Sequence, residues 1–257
     1  DVILKMAIEA LKKQTDLATL QSDETLFIVS STKGNMDAFD TDAFQSTRTI
    51  LSEELAIPHA PLIISNACIS GVLAINTAAD YLKTDRFKDV FIIGIDAVSD
   101  FVLFGFQSLY ALSDGPCKPF DKERTGTSLG EACGIVRLSV EPTKNAVEYL
   151  GGTSSNDANH ISGPSRTGEG LYRAVNRAIK LSGIQHTDID FISAHGTGTV
   201  FNDEMESIAF GRLEMDQVPV NSMKGYFGHT LGAAGVIETI MTIVSMQENT
   251  LFESLGY

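Results

Sequence analysis

One cysteine and two histidines occupy positions that suit nucleophilic chemistry. Cys68 lies between the end of an apolar run and the start of a predicted helix. A helix N-terminus favours the thiolate, and its free backbone N–H groups can stabilise an oxyanion. His195 follows an apolar segment and opens a run of glycine and threonine, whereas His229 directly precedes a second predicted helix. Because an imidazolium is disfavoured at a helix N-terminus, we expect His229 to stay neutral and to donate a hydrogen bond.

Four further polar residues stand out on less specific grounds. Lys224 opens the glycine-containing loop that ends at His229, and Glu131 lies between small residues just before a predicted strand. Asp203 and Glu206 lie in the first turns of a predicted helix. A solvated lysine, and carboxylates that favour the positive end of a helix dipole, would explain these residues without any chemical role.

A thiolate with two histidines fits two mechanisms. In a cysteine hydrolase one histidine acts as the base, and an Asn or Asp orients it. In thioester acyl transfer followed by carbanion attack, two histidines polarise the carbonyl of a second thioester. Two separate histidines on glycine-rich loops favour acyl transfer, but the residues alone leave both mechanisms open.

The composition excludes several classes of protein. The formal net charge of −14 argues against nucleic acid, which needs a basic surface. No apolar run reaches the roughly 18 residues of a membrane span, and the opening residues do not predict a signal peptide. The cysteines Cys68, Cys117 and Cys133 lack the spacing of a zinc site and are typical of reduced thiols in a cytoplasmic protein. We expect Cys117 and Cys133 to be small buried side chains, and we expect no metal ion or cofactor.

Hydrophobic periodicity and turn residues predict alternating strands and helices. The predicted helices cover residues 2–11, 44–55, 69–82, 168–182, 203–213 and 231–246. The predicted strands cover residues 26–31, 62–65, 89–95, 134–141, 148–153, 189–194 and 218–221, with loops over 33–42 and 222–229 and an irregular stretch over 105–121. This alternation predicts an α/β fold with parallel or mixed sheets. Residues 62–82 and 218–246 share one plan of strand, polar loop and buried helix, which indicates an internal duplication whose two buried helices meet.

Five ordered motifs resemble those of the β-ketoacyl-acyl-carrier-protein synthases, the elongating condensing enzymes of the thiolase superfamily. They are Asn-Ala-Cys at 66–68, Pro-Phe-Asp-Lys-Glu-Arg-Thr-Gly at 119–126, Gly-Glu at 130–131, Ala-His-Gly-Thr-Gly-Thr at 194–199 and Lys-Gly-Tyr-Phe-Gly-His…Gly-Ala-Ala-Gly at 224–235. The resemblance implies a thiolase-like duplicated fold in α-β-α-β-α layers, in one domain over 1–257 with halves of about 1–145 and 146–257. Members of the family extend beyond both ends of this chain, so we expect a truncated and incomplete fold.

The resemblance also implies roles for the candidate residues. Cys68 matches the nucleophile that takes an acyl group, and His195 with His229 matches the pair that supports decarboxylation of a malonyl thioester. Lys224 matches the lysine that supports this pair electrostatically. Glu131, as a structural or water-ordering carboxylate, and Asp203 are expected to support the site.

An acyl carrier protein is the implied partner, and a homodimer in the cytoplasm is the implied assembly. Carrier proteins are acidic, and the cations soon after the Cys68 helix, among them Lys83 and Arg86, are candidates for docking one. The alternative function is a non-catalytic, chain-length-type partner subunit of a condensing enzyme. Such subunits generally lack the reactive cysteine, so the presence of Cys68 favours the enzyme.

Overall fold

The computed structural model describes residues 2–36, 42–157 and 163–256. The predicted loop over 33–42 therefore lies partly outside the described residues. The chain divides into two compact units. The first contains the chain as far as Ser99, with Gly130–Ala146 and Thr230–Met241, and the second contains Asp100–Leu129, Val147–His229 and the chain from Thr242 onwards.

Most predicted elements are present, with boundaries within three residues of those expected. The helices are α1 (Val2–Gln14), α2 (Leu17–Leu20), α3 (Gln45–Leu55), α4 (Ser70–Leu82), α5 (Asp100–Ser108), α6 (Glu169–Ser182), α7 (Val200–Arg212), α8 (Lys224–Phe227) and α9 (Ala234–Gln247). The strands are β1 (Thr25–Ser30), β2 (Leu62–Ile64), β3 (Asp89–Asp96), β4 (Ala132–Ser139), β5 (Ile192–Ser193) and β6 (Val220–Asn221).

The first unit is built on a four-stranded mixed sheet in the order β2-β1-β3-β4. β1 pairs in parallel with β2 and with β3, whereas β4 runs antiparallel to β3. Every residue of β1 is buried, which explains why its sequence is an apolar run without alternation. The prediction of a mixed α/β architecture is confirmed.

Helices cover both faces of this sheet. Successive strand residues point to opposite faces, so one strand can contribute to two cores. Phe27 and Phe91 stack at 5.3 Å on the face that α1 and α3 cover. Ile28 and Ile92 pack on the other face, against α4 and the beginning of α9.

Polar groups gather where β1 and β3 end. The buried carboxylate of Asp96 accepts hydrogen bonds from the hydroxyls of Ser31 and Thr32, both at 2.9 Å, and from the Lys33 ammonium at 3.0 Å. It also accepts from the backbone N–H of Thr32 at 2.8 Å and of Gly232 at 2.7 Å. A buried charge needs such partners, and these fix the chain just before α9.

The two buried helices of the predicted duplication meet within the first unit. Gly71 is near the start of α4 and Gly235 near the start of α9, and their backbones are in close contact. A Cβ atom built on Gly71 would lie 2.7 Å from the backbone nitrogen of Val236, and one on Gly235 would lie 2.6 Å from that of Val72. Only glycine allows this approach, so the expectation that these helices meet is confirmed.

The second unit contains a two-stranded parallel sheet, in which Ile192 is opposite Val220 and Ser193 is opposite Asn221. Both strands are shorter than predicted. Pro219, just before β6, lacks an N–H and cannot extend the start of the ladder as a donor. The carboxyl ends of parallel strands lie at the same edge, so the residues that follow β5 and β6 emerge together.

Three predictions for the second unit are wrong in whole or in part. Residues 148–153 form no strand, because Gly151 packs against Ser182 of α6 and the Thr153 hydroxyl donates to a carbonyl of the same helix, that of Ala174, at 3.0 Å. Residues 105–108, predicted to be irregular, continue α5, whose first turn has the favourable acidic residue Asp100. Residues 222–229, predicted to be a loop, contain the short helix α8.

Substitution of Gly71 by alanine should destabilise the protein. The added methyl group would overlap backbone atoms that cannot move independently, and overpacking of this kind costs about 1–3 kcal/mol. Gly211, in α7, is the matched control, because a Cβ atom there meets nothing within 4 Å. Denaturant unfolding should show a loss of stability for Gly71→Ala and none for Gly211→Ala, whose helix gains about 0.5–1 kcal/mol. Equal stability of the two variants would contradict the close approach.

Candidate active site

Cys68 is in the first unit and lies between β2 and α4, two residues before the helix begins. Its thiol is half-buried and not in a disulfide. The preceding residue, Ala67, has a left-handed backbone with φ of 46°, a conformation that costs a residue with a Cβ atom free energy. The Ser70 side chain stabilises this turn, since its hydroxyl donates to the Ala67 carbonyl at 2.7 Å and accepts from the Asn66 N–H at 2.7 Å.

The second unit brings His195 and Lys224 together at the carboxyl edge of its sheet. His195 follows β5 by two residues and Lys224 follows β6 by three. The ammonium nitrogen of the buried Lys224 lies 2.6 Å from the His195 carbonyl oxygen and 3.2 Å from its Nδ1 atom. A lysine ammonium can only donate, so Nδ1 is the acceptor and the proton of the neutral ring is on Nε2.

His229 lies beside His195 in the same unit. The two ring centroids are 5.1 Å apart, with the rings nearly perpendicular at 84°. Phe106 contacts the His229 ring edge to face at 6.2 Å. The backbone N–H of His229 donates to the Ser128 carbonyl at 2.6 Å. The structure therefore places three of the predicted site residues together within this unit.

Both imidazoles are held in the neutral form. Burial, with the charge of Lys224 as the second cause, lowers the pKa of His229 to about 3. The pKa of His195 lies well below its ordinary value of 6.5. Burial is the largest cause, followed by the electrostatic effects of Lys224 and of His229. At neutral pH each ring can donate one hydrogen bond, and neither carries a charge. The expectation that His229 is neutral agrees with this arrangement, although burial rather than a helix dipole is the main cause.

Glu206 is a component of the site whose role the sequence did not reveal. Its buried carboxylate accepts the backbone N–H of His195 at 2.9 Å and of Gly196 at 2.7 Å, and the Asn202 amide donates to it at 2.8 Å. Burial raises the pKa of Glu206 to about 7, against the opposing effect of the two N–H groups. Glu206 is three residues after Asp203 on α7, and this spacing places both carboxylates on one helix face. The spacing was the one feature of the sequence that could have pointed to a shared role.

Asp203 is fully buried and connects two of the sequence motifs. Its carboxylate accepts the Phe120 N–H at 2.8 Å and the Gly198 N–H at 3.3 Å, and the Arg124 guanidinium lies 3.6 Å away. Arg124 also donates to the Val200 carbonyl at 3.0 Å. The motif at 119–126 thus supports the backbone of the residues that follow His195.

The remaining candidates lie in the first unit. Glu131 is exposed and accepts the Val98 N–H at 2.7 Å, so it holds the chain that follows β3. Lys83 forms an exposed ion pair with Asp80 at 2.9 Å, and the Arg86 guanidinium lies over the Phe87 ring at 5.1 Å. Within either unit, the described residues bring no three His, Cys, Asp or Glu side chains together as a metal site would require.

Two family profiles match the chain. The profile described as "Beta-ketoacyl synthase, N-terminal domain" matches residues 51–143, and the one described as "Beta-ketoacyl synthase, C-terminal domain" matches residues 147–257. The chain belongs to the β-ketoacyl synthase family. The resemblance of the five motifs is thereby confirmed.

Curated relatives in this synthase family are identical to the chain at about a third of the aligned positions. A 3-oxoacyl-[acyl-carrier-protein] synthase homolog of Saccharomyces cerevisiae is 34% identical over 208 residues, which are 75% of this chain and 47% of the relative. The 3-oxoacyl-[acyl-carrier-protein] synthase 2 of Rhizobium meliloti is 36% identical over 204 residues, 72% of this chain and 48% of the relative. The chain spans about half the length of these curated relatives.

Solved ketosynthase structures have the same fold. A ketosynthase in complex with its chain length factor from Xenorhabdus doucetiae superimposes with a TM-score of 0.90 and 29% identity, over 99% of this chain and 69% of that chain. A β-ketoacyl synthase from Burkholderia phymatum gives a TM-score of 0.80 at 23% identity, over 97% of this chain and 71% of that chain. These likenesses confirm the thiolase-like fold of the synthase family.

Replacement of Glu206 by glutamine should change how stability depends on pH. The folded protein keeps the proton of this carboxyl up to pH about 7, whereas the unfolded chain loses it near 4.5. The wild-type free energy of unfolding should therefore fall as pH rises between these values, by about 2–4 kcal/mol from this group. The free energy of unfolding of each protein can be measured from pH 4 to 8. The wild-type value minus the Glu206→Gln value should show this fall.

The exposed Glu204 on the same helix provides the matched control, since Glu204→Gln removes the same formal charge. Its stability relative to wild type should stay nearly constant over the window. A pH-independent difference for Glu206→Gln as well would show that the buried carboxyl does not hold its proton.

Proposed function

We propose that this chain is the central part of an acyltransferase that performs a decarboxylative Claisen condensation. An acyl group bound to Cys68 is joined to a malonyl group on an acyl carrier protein, and the product is a 3-oxoacyl-acyl carrier protein. The observation that carries the proposal is the pair of neutral imidazoles, of the half-buried His195 and the buried His229, beside the buried ammonium of Lys224.

The first half of the reaction is acyl transfer to Cys68. The thiolate attacks the acyl thioester, and the carrier thiol leaves as the new thioester forms. The position of Cys68 before α4 supports this role, because backbone N–H groups at a helix N-terminus can stabilise the oxyanion of the tetrahedral intermediate.

The second half needs an enolate, which the imidazole pair suits. When malonyl loses carbon dioxide, negative charge develops on the thioester oxygen, and neutral donors that lie in a dry site stabilise this charge best. The Nε2–H of His195 is available as one donor, since Lys224 occupies Nδ1. The enolate carbon attacks the acyl carbonyl, and Cys68 leaves as the thiolate. Burial, with the charge of Lys224 as the second cause, keeps both rings neutral. Asp203 holds the chain that follows His195, and Glu131 holds the chain that follows β3 in the first unit.

A second function, the non-catalytic partner subunit, is kept because the Xenorhabdus doucetiae ketosynthase is in complex with a chain length factor. The half-buried thiol of Cys68, which is not in a disulfide, favours catalysis over this alternative. A non-catalytic partner subunit does not require a thiol, an imidazole pair and a buried lysine in one chain.

The covalent intermediate tests the catalytic function. After incubation with an acyl carrier protein that carries an acyl thioester, intact mass should increase by one acyl group, and peptide mapping should place the group on Cys68. Cys68→Ala should show no adduct. Malonyl carrier protein added next should release carbon dioxide and the 3-oxoacyl product. Absence of an adduct on a folded full-length protein would favour the partner subunit, and loss of the acyl group to water alone would indicate a hydrolase.

We propose that the carrier protein docks near Lys83 and Arg86. An exposed ion pair such as that of Lys83 with Asp80 is worth about 0–1 kcal/mol, so an acidic partner can replace it at little cost. Replacement of both cations by glutamate should slow acyl transfer from the carrier about tenfold and leave transfer from a small acyl thioester unchanged.

Two exposed lysines of α1, Lys5 and Lys13, allow a matched control with the same change of charge. Their replacement by glutamate should affect neither donor. Equal slowing of both donors by the Lys83 and Arg86 changes, or equal effects of the two pairs of changes, would contradict the docking surface.

A second copy of the chain is the proposed partner in assembly. Large apolar side chains on and just after α5 are exposed, with Phe101 at 69%, Phe104 at 61% and Tyr110 at 93%, which is typical of an interaction surface. Sedimentation of the full-length protein should give a dimer, and Phe104→Asp should weaken it. A monomer, or association only with a different related chain, would contradict the homodimer.

We propose the cytoplasm as the location, since none of the three cysteines is in a disulfide. Among the residues that the structure describes, no helix is long and apolar enough to cross a membrane. A fluorescent fusion of the full-length protein that collects in an organelle would contradict this location.

A further inference from the structure

Cys117 is a buried thiol that the proposed mechanism does not use. It lies in the irregular segment between α5 and β4 and is 1% exposed. Its Sγ atom donates to the backbone carbonyl oxygen of Lys224 at 3.0 Å. The same oxygen accepts the N–H of Gly228 at 2.9 Å. The Lys224 carbonyl therefore links Cys117 to both ends of the turn formed by residues 224–228. His229 follows this turn directly.

Ser128 holds the other side of this turn. Its hydroxyl accepts the Cys117 N–H at 2.9 Å and donates to the Gly115 carbonyl at 3.0 Å, which fixes Cys117. Its own carbonyl accepts the N–H of His229 at 2.6 Å. Cys117 thus binds Lys224, and Ser128 binds His229. Cys117 and Ser128 are in turn hydrogen-bonded to each other.

The same segment borders the backbone that leaves His195. Gly198 has a left-handed φ of 74°, and a Cβ atom there would lie 3.1 Å from the Cβ of Cys117 and 2.7 Å from the Gly126 carbonyl oxygen. Cys117 is therefore in contact with the chain that carries each of the three site residues of the second unit.

The protonation state of Cys117 agrees with a donor role. Burial raises the pKa of this thiol above its usual range. The sulfur therefore keeps its proton and can donate to the Lys224 carbonyl. A thiolate at this distance would repel the carbonyl oxygen.

We propose that Cys117 and Ser128 are positioning residues for the condensation, which hold Lys224 and His229 in the arrangement that malonyl decarboxylation requires. Neither residue acts on the substrate directly. The inference rests on the proposed function, because it assigns decarboxylation to the imidazole pair.

The test compares Cys117→Ala with Cys117→Ser in the full-length protein. Loss of one neutral hydrogen bond should lower kcat for malonyl decarboxylation about three- to tenfold in the alanine variant, with KM little changed. The serine variant restores a donor, so it should recover most of the rate. Acyl transfer to Cys68 should be the same in both. Cys133→Ala, which removes a thiol from β4, should keep the wild-type kcat once melting curves have corrected for the folded fraction.

A spectroscopic measurement makes the outcome independent of activity. In protein labelled at histidine, Cys117→Ala should shift the ring signals of His195 and His229, and Cys133→Ala should not. Unchanged ring signals, a wild-type rate for Cys117→Ala, or equal impairment of the alanine and serine variants would each overturn the positioning role. A wild-type protein that takes no acyl group would instead refute the proposed function, and the ring signals would still decide whether Cys117 positions the pair.

Discussion

The burial of the Lys224 ammonium against His195 is the interaction on which the rest of the candidate site depends. A charge removed from water must be compensated, and here a carbonyl oxygen and a ring nitrogen of one histidine compensate it. Burial, together with the same charge, keeps both imidazoles neutral. The parallel pairing of β5 with β6 makes this possible, because it delivers the two residues to one edge. Two strands of two residues each would be a weak scaffold on their own, and the surrounding loops reinforce them.

Those loops are held by buried carboxylates rather than by regular secondary structure. Asp203 and Glu206, one turn apart on α7, accept backbone N–H groups from the run that begins at His195. Asp96 does the same for the chain before α9 in the first unit. In each case a carboxylate binds N–H groups that no strand or helix would satisfy, so the glycine-rich segments keep a defined conformation despite their intrinsic freedom.

Much of the fold could be predicted from local sequence, since strands such as β1 and β3 are long apolar runs and helices such as α4 have clear boundaries. The failures have a physical basis. Residues 148–153 have the composition of a strand, but their contacts are with α6, and no local pattern records which element a segment will pack against. The roles of Glu206 and Cys117 were hidden for a similar reason: each acts on the backbone of residues that are distant in sequence, and only the folded chain brings these together. Lys224 was proposed from its place at the start of a glycine-containing loop and from the resemblance, because its neighbours in sequence do not distinguish a buried lysine from a solvated one.

The way in which the first unit is assembled from the chain has a consequence for synthesis on the ribosome. Its sheet is complete once β4 has emerged, yet Val236 of α9, which covers one face of that sheet, comes about a hundred residues later. During that interval the face of the sheet that packs against Val236 lacks its final cover, and contacts so distant in sequence form slowly. The nascent chain therefore exposes an apolar surface until α9 has emerged, and such a surface is prone to aggregation in that period.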